Sequence, residues 1–153
     1  MSAGAHVALF LITVIVMEGV AWAMHKYVMH GPLWFIHRSH HEPHDGWWER
    51  NDAFGLFFST LSMVLIYYGL RDYPALLGPG LGLVGYGFIY FMLHDVLVHR
   101  RLRLPFVPKG GYLRRIYQAH HLHHATRERQ GAAFFGFALA PSVAAISARK
   151  AQR

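Results

Sequence analysis

Ten of the thirteen histidines in this 153-residue chain fall into a pattern that occurs twice. His25 and His30 form an HxxxxH pair, and His37, His40 and His41 follow as HxxHH. His94 and His99 repeat the pair, and His120, His123 and His124 repeat the triplet. On a helix, positions i, i+3 and i+4 share a face, so each triplet presents three imidazoles to one point. Positions i and i+5 diverge by roughly 140° at 3.6 residues per turn. A pair at that spacing suits two ions, one for each histidine, or a helix end that unwinds. Ten imidazoles exceed what one first-row ion accepts, which is about four to six ligands. The pattern therefore predicts two ions. Imidazole binds iron, zinc, copper and nickel, so ligand type alone leaves the metal open.

The other histidines lie off this pattern. His6 is isolated, His44 has no partner at ligand spacing, and His121 sits one residue away from the triplet face. We expect all three outside the ligand set, with His44 either in a solvated loop or hydrogen-bonded to a ligand. Glu42, Asp45, Glu49, Asp52 and Asp95 crowd the histidines. Each is a candidate acceptor for the second ring N–H, the bond that fixes the tautomer of a metal-bound histidine. Asp52 serves equally well as a helix cap, together with Asn51. Glu18 precedes His25 by seven residues, on the same helix face and deeper in an apolar run. An intramembrane carboxylate marks function by default. Glu18 is thus a candidate for holding a ligand through water, for lining a substrate pocket, or for packing helices.

Apolar segments must position these groups. The chain is 54% hydrophobic and 15% charged. Its length allows one unit, and we expect a single domain over residues 1–153. Four apolar segments are predicted: residues 7–28, 53–70, 81–93 and 131–147. The first is long enough to span a bilayer and reads as a permanent helix, since residues 1–6 lack the positive region of a cleavable leader. Pro141 leaves the fourth free to span, re-enter or pack inside. The expected fold is an all-α, integral membrane helical bundle of about four apolar segments, with a cytoplasmic, histidine-rich helical cap.

Charge orients it. Lys26, Arg38 and Arg50 lie between the first two segments, and Arg100, Arg101, Arg103, Lys109, Arg114, Arg115, Arg127 and Arg129 follow the third. Arg71, opposed by Asp72, is alone on the other side. By the positive-inside rule both basic connections are cytoplasmic. The tail residues Arg149, Lys150 and Arg153 conflict with a full fourth crossing. The formal charge of +7 is explained by this placement, and no nucleic-acid partner is expected. The absence of cysteine excludes thiolate metal sites, cysteine-ligated iron–sulfur clusters and thiolate-bound haem. Residues 80–85 satisfy GxGxxG, but they lie inside an apolar run and lack a preceding strand. Helix packing through small residues is the expected role, with a groove for a long ligand as a further possibility.

HKYVMHGPLWFIHRSHHEPHDGWWERND and HDVLVHRRLRLPFVPKGGYLRRIYQAHHLHHA resemble the membrane-bound diiron β-carotene 3-hydroxylases of bacteria, within the fatty-acid hydroxylase superfamily. The likeness covers roughly residues 18–135. It implies two iron ions held by His25, His30, His37, His40, His41, His94, His99, His120, His123 and His124. It implies O2 as co-substrate, and electrons from an external, ferredoxin-like donor drawn to the basic face. The substrate would be a carotenoid taken sideways from the bilayer lipids, hydroxylated at carbon 3 of each ring to give β-cryptoxanthin and then zeaxanthin. The location implied is the bacterial inner membrane. Alternatives are another lipid oxygenase (a fatty-acid or sterol hydroxylase, or a desaturase) and a membrane metal transporter. A transporter would place its ligands near the midplane, where only Glu18 lies.

Overall fold

The computed structural model describes residues 1–43, 46–102, 104–132 and 134–151. His44, Asp45, Arg103 and Arg153 lie outside the described residues. Every regular element among the described residues is helical. α1 (Ala3–Ala23) opens with Ser2 accepting a hydrogen bond from Ala5 N–H and runs into a π-helical turn, Met24–Met29. α2 (Trp34–His41) carries the first triplet. α3 (Asp52–Gly69) returns across the apolar layer, and α4 (Leu77–Tyr90) follows a short turn. A second π-helical stretch, Phe91–Val98, continues α4. α5 (Gly111–His124) carries the second triplet, and α6 (Val143–Ala151) ends the described chain.

Among the described residues, three helices are long and apolar enough to cross a membrane: Ala3–Met29, Asp52–Gly69 and Pro74–Val98. Their outward faces carry exposed Ile15, Met63 and Phe88, as expected where the solvent is hydrocarbon. α4 lies between the other two. Gly82 lets it approach α1 so closely that a β-carbon there would stand 2.6 Å from Thr13 Cβ. Gly80 does the same against α3, 2.8 Å from Ile66 Cγ1. The GxGxxG residues are thus helix-packing positions, and Met17, Leu83 and Tyr86 form the thin core within the apolar layer, with Phe58 and Leu65 packed against it.

The fourth apolar segment departs from a spanning helix. Residues 134–142 are extended and irregular, and the nine residues of α6 are too few to cross. Here the carbonyls of Phe134 and Phe135 accept hydrogen bonds from histidine rings. α6 packs beside α5, with Ile146, Ile116, Ala119, Ala140 and Val98 forming a second core. The histidine-bearing ends of the long helices, α5 and α6 thus gather at one end of the bundle.

Candidate metal centre

The two π-helical turns resolve the HxxxxH spacing. His30 N–H donates to the His25 carbonyl at 2.9 Å, and His99 N–H donates to His94 at 2.8 Å. Widening the turn to an i→i+5 bond brings positions five apart onto one side. Each pair joins a single group, so neither one ion per histidine nor an unwound end is what the chain adopts. Gly31 closes the first turn: a β-carbon there would run into the Tyr27 carbonyl.

Two groups result. His25, His30, His37, His41 and His123 form one, and His40, His94, His99 and His120 form the other, with ligand atoms in each within 4.8 Å of one another. His124 stands against the second, its Nε2 2.8 Å from that of His120, and its ring stacks on His41 at 4.4 Å. All ten patterned histidines are therefore brought together. His121 is exposed and packs on Tyr117, and His6 lies in the first turn of α1, so both fall outside the groups.

For seven of the ten, the outward ring nitrogen shows which tautomer the histidine holds. His25 Nδ1–H donates to the Phe135 carbonyl (3.0 Å), His30 to Arg129 (2.9 Å), His41 to Thr126 (2.9 Å) and His123 to Phe134 (2.6 Å). His37 donates to Asn51 Oδ1 (2.7 Å), His40 to Glu49 (2.7 Å) and His94 to Asp95 (3.0 Å). With the proton on Nδ1, each Nε2 presents a lone pair inward. These Nε2 atoms face one another at 3.2 Å for His25–His37, His30–His123 and His37–His41, and at 2.9 Å for His40–His94. Facing lone pairs repel unless a cation lies between them. Ligands at right angles, each about 2.1 Å from an ion, stand about 3 Å apart. The spacing fits a metal site.

Burial keeps the rings neutral. It holds His41 at about 4 and His99 at about 3, down from 6.5. Burial, reinforced by neighbouring imidazoles, holds His40, His120 and His123 well below the ordinary value. Neutral imidazole is the form that binds metal.

Several partners were not legible in sequence. Asn51 makes no side-chain cap but holds His37, and Asp52 accepts from Glu49 N–H and Arg101. Glu42 pairs with Arg38 on the surface. Glu18 accepts from Phe137 N–H and Leu139 N–H, both at 3.1 Å, and from Tyr86 O–H at 2.9 Å. It fastens the irregular segment 134–140 to α1 and α4. That is the packing role, and it matters because this segment presents two histidine-holding carbonyls.

A largely apolar cavity of about 600 Å³ reaches this centre from the membrane layer. Its walls include Met17, Phe58, Leu83 and Tyr86, and it ends on His25 and His37 of one group and His94 and His120 of the other. Gly55 and Gly87 also line it, with nothing within 4 Å of a β-carbon at either position. α3 and α4 touch at Gly69 and Gly80 but separate toward the histidines. A second, polar cavity of about 790 Å³ reaches His40 and His99 from the other side, beside Glu49 and Arg101.

The same arrangement carries a family signature. The fatty acid hydroxylase family model matches residues 10–141. The β-carotene hydroxylase of Paracoccus sp. (strain PC1) is 48% identical over 132 residues, 86% of this chain and 82% of that protein. That of Pantoea ananas is 45% identical over 142 residues, 93% of this chain and 81% of that protein. The chloroplastic β-carotene 3-hydroxylase 2 of Arabidopsis thaliana is 38% identical over 110 residues, 69% of this chain and 36% of that protein. No solved structure is significantly similar. On both the matched length and the identity to bacterial relatives, this chain belongs to the fatty acid hydroxylase family.

Proposed function

We propose that the protein hydroxylates carbon 3 of the β-ionone rings of β-carotene, giving β-cryptoxanthin and then zeaxanthin. One observation carries this reading: the apolar cavity ends on histidines of both groups, so a long lipid lying in it presents its end to the whole centre. The names of the bacterial relatives supply the ring and the class of substrate.

The ten patterned histidines hold two irons, one in each group, with His124 completing the second. When bound, an iron pair supplies the reductive activation of O2 needed to oxidise an unactivated C–H bond, which zinc does not. The chain's own residues do the rest. The Nδ1 bonds to Phe134, Phe135, Arg129, Thr126, Asn51, Glu49 and Asp95 fix seven of the ten rings, so their inward lone pairs are set before a metal arrives. Met17, Phe58, Leu83 and Phe137 exclude water from the substrate end. The separation of α3 and α4 beside Gly55 and Gly87 gives a bulky ring access from the bilayer.

The whole chain acts as one membrane-embedded domain in a bacterial inner membrane, with the centre on the cytoplasmic side, a reading supported by the basic connections. Electrons come from an external acidic donor such as a ferredoxin, attracted by the same basic face. The test is expression in a β-carotene-accumulating bacterium with pigment chromatography. Zeaxanthin should form, with β-cryptoxanthin appearing early and then declining. Unchanged β-carotene, with iron-loaded protein and a working donor present, would overturn the assignment in favour of a fatty-acid or sterol substrate. A desaturated pigment without added oxygen would change the reaction class.

A further inference from the structure

The outward ring nitrogens of the two groups rest on chemically different partners. In the first group the acceptors are neutral: backbone carbonyls hold His25, His30, His41 and His123, and an amide, Asn51, holds His37. In the second, carboxylates hold His40 and His94, through Glu49 at 2.7 Å and Asp95 at 3.0 Å. Arg101 clamps these carboxylates. Its Nη2 lies 2.5 Å from Glu49 Oε1 and 2.8 Å from Asp52 Oδ1, and its Nε lies 3.6 Å from Asp95 Oδ1. Glu49 is almost fully buried, and Asp52 and Asp95 are largely so. This side of the centre is thus lined by three largely buried carboxylates.

An imidazole that donates to a carboxylate is a more basic ligand than one that donates to a carbonyl. Nearby buried negative charge acts in the same direction, because the low dielectric leaves it poorly screened. Both effects favour the more highly charged oxidation state of a bound ion. Hydrogen bonding and local charge of this kind are the means by which proteins tune metal potentials.

We infer that Glu49, Asp95 and Arg101 make the two metal positions electronically unequal, so that the ion beside His40 and His94 is harder to reduce than the ion beside His25 and His37. This rests on the proposed two-iron reading. Adding one electron to the diferric protein should place the ferrous ion in the carbonyl-backed group and leave the carboxylate-backed ion ferric. A second electron then reduces the latter at a lower potential. The polar cavity opens on the carboxylate-backed side, so an electron delivered there passes to the farther ion first.

Full-length protein loaded with 57Fe in detergent tests this, using stepwise dithionite titration followed by Mössbauer spectroscopy. After one electron per chain, half the iron should be ferrous in a single doublet and half ferric, with two separated reduction steps. Glu49→Gln should raise the lower potential and bring the two steps together. Asn51→Asp, which sets a carboxylate against His37, should bring them together by lowering the higher one. Two irons reducing in one unresolved step would overturn the inference, as would unmoved potentials in both variants. Fewer than two irons per wild-type chain would instead overturn the two-iron reading on which it rests.

Discussion

The hydrogen bond from His30 N–H to the His25 carbonyl, 2.9 Å long, brings two histidines five residues apart into one group of ring nitrogens. On a regular α-helix they would point about 140° apart. The π turn depends on Gly31, whose Cα packs against the Tyr27 carbonyl. Gly31→Ala should therefore displace His30 and drop iron content from two per chain toward one. Metal analysis of purified protein checks this, and undiminished iron would contradict the role given to the π turn.

Glu18 governs the centre from a distance. Its carboxylate satisfies three donors, two of them on the segment whose carbonyls hold His25 and His123. Glu18→Ala should cost about 1–3 kcal/mol for each buried donor left unpaired. The melting temperature in detergent should fall, and iron should be lost with it. Glu18→Gln, which keeps one accepting oxygen, should recover part of both; equal loss in the two variants would argue against the tether.

Narrowing the cavity should discriminate among substrates without touching the metals. Gly87→Leu fills open space beside the histidines. Turnover of β-carotene should fall on the order of tenfold or more, while iron content stays at the wild-type value. Unaltered turnover would mean that the ring does not pass Gly87.

Iron-free protein should be acid-sensitive. Burial holds His41 at about 4 and His99 at about 3 in the folded chain, against 6.5 when exposed. The unfolded chain therefore binds protons that the folded chain refuses, and stability must fall as pH drops through 6.5 toward those lowered values. Melting temperatures of chelator-treated protein should decline over that window. A flat profile would show that these rings are not buried neutral.

Much of the centre was legible because side chains carry it. The doubled pair–triplet pattern located all ten histidines, and the charge pattern foresaw that they share one side. The fourth apolar segment was not legible as a strap, since its contribution is made by the backbone carbonyls of Phe134 and Phe135, as is that of Thr126 and Arg129 just before it. A carbonyl has no residue identity to read. Asn51 was misread for a related reason: its position before α3 fits a cap, but its Oδ1 turns to His37. The glycines of α4 were read correctly as packing positions, and only Gly87 among 78–87 lines the cavity.

Membrane orientation is open to a direct check. A reporter fused after Gly111 should read cytoplasmic, and one placed in the turn near Asp72 periplasmic. The reverse pattern would overturn the charge-based sidedness.

The central claim is that two histidine groups hold two irons. Iron stoichiometry measured on purified wild-type protein, His40→Ala and His123→Ala tests it most directly, because each substitution removes one buried ligand from a different group. Two irons per wild-type chain, a loss of iron in each variant, and abolished hydroxylation in both are expected. Either variant retaining two irons and full activity would contradict the assignment.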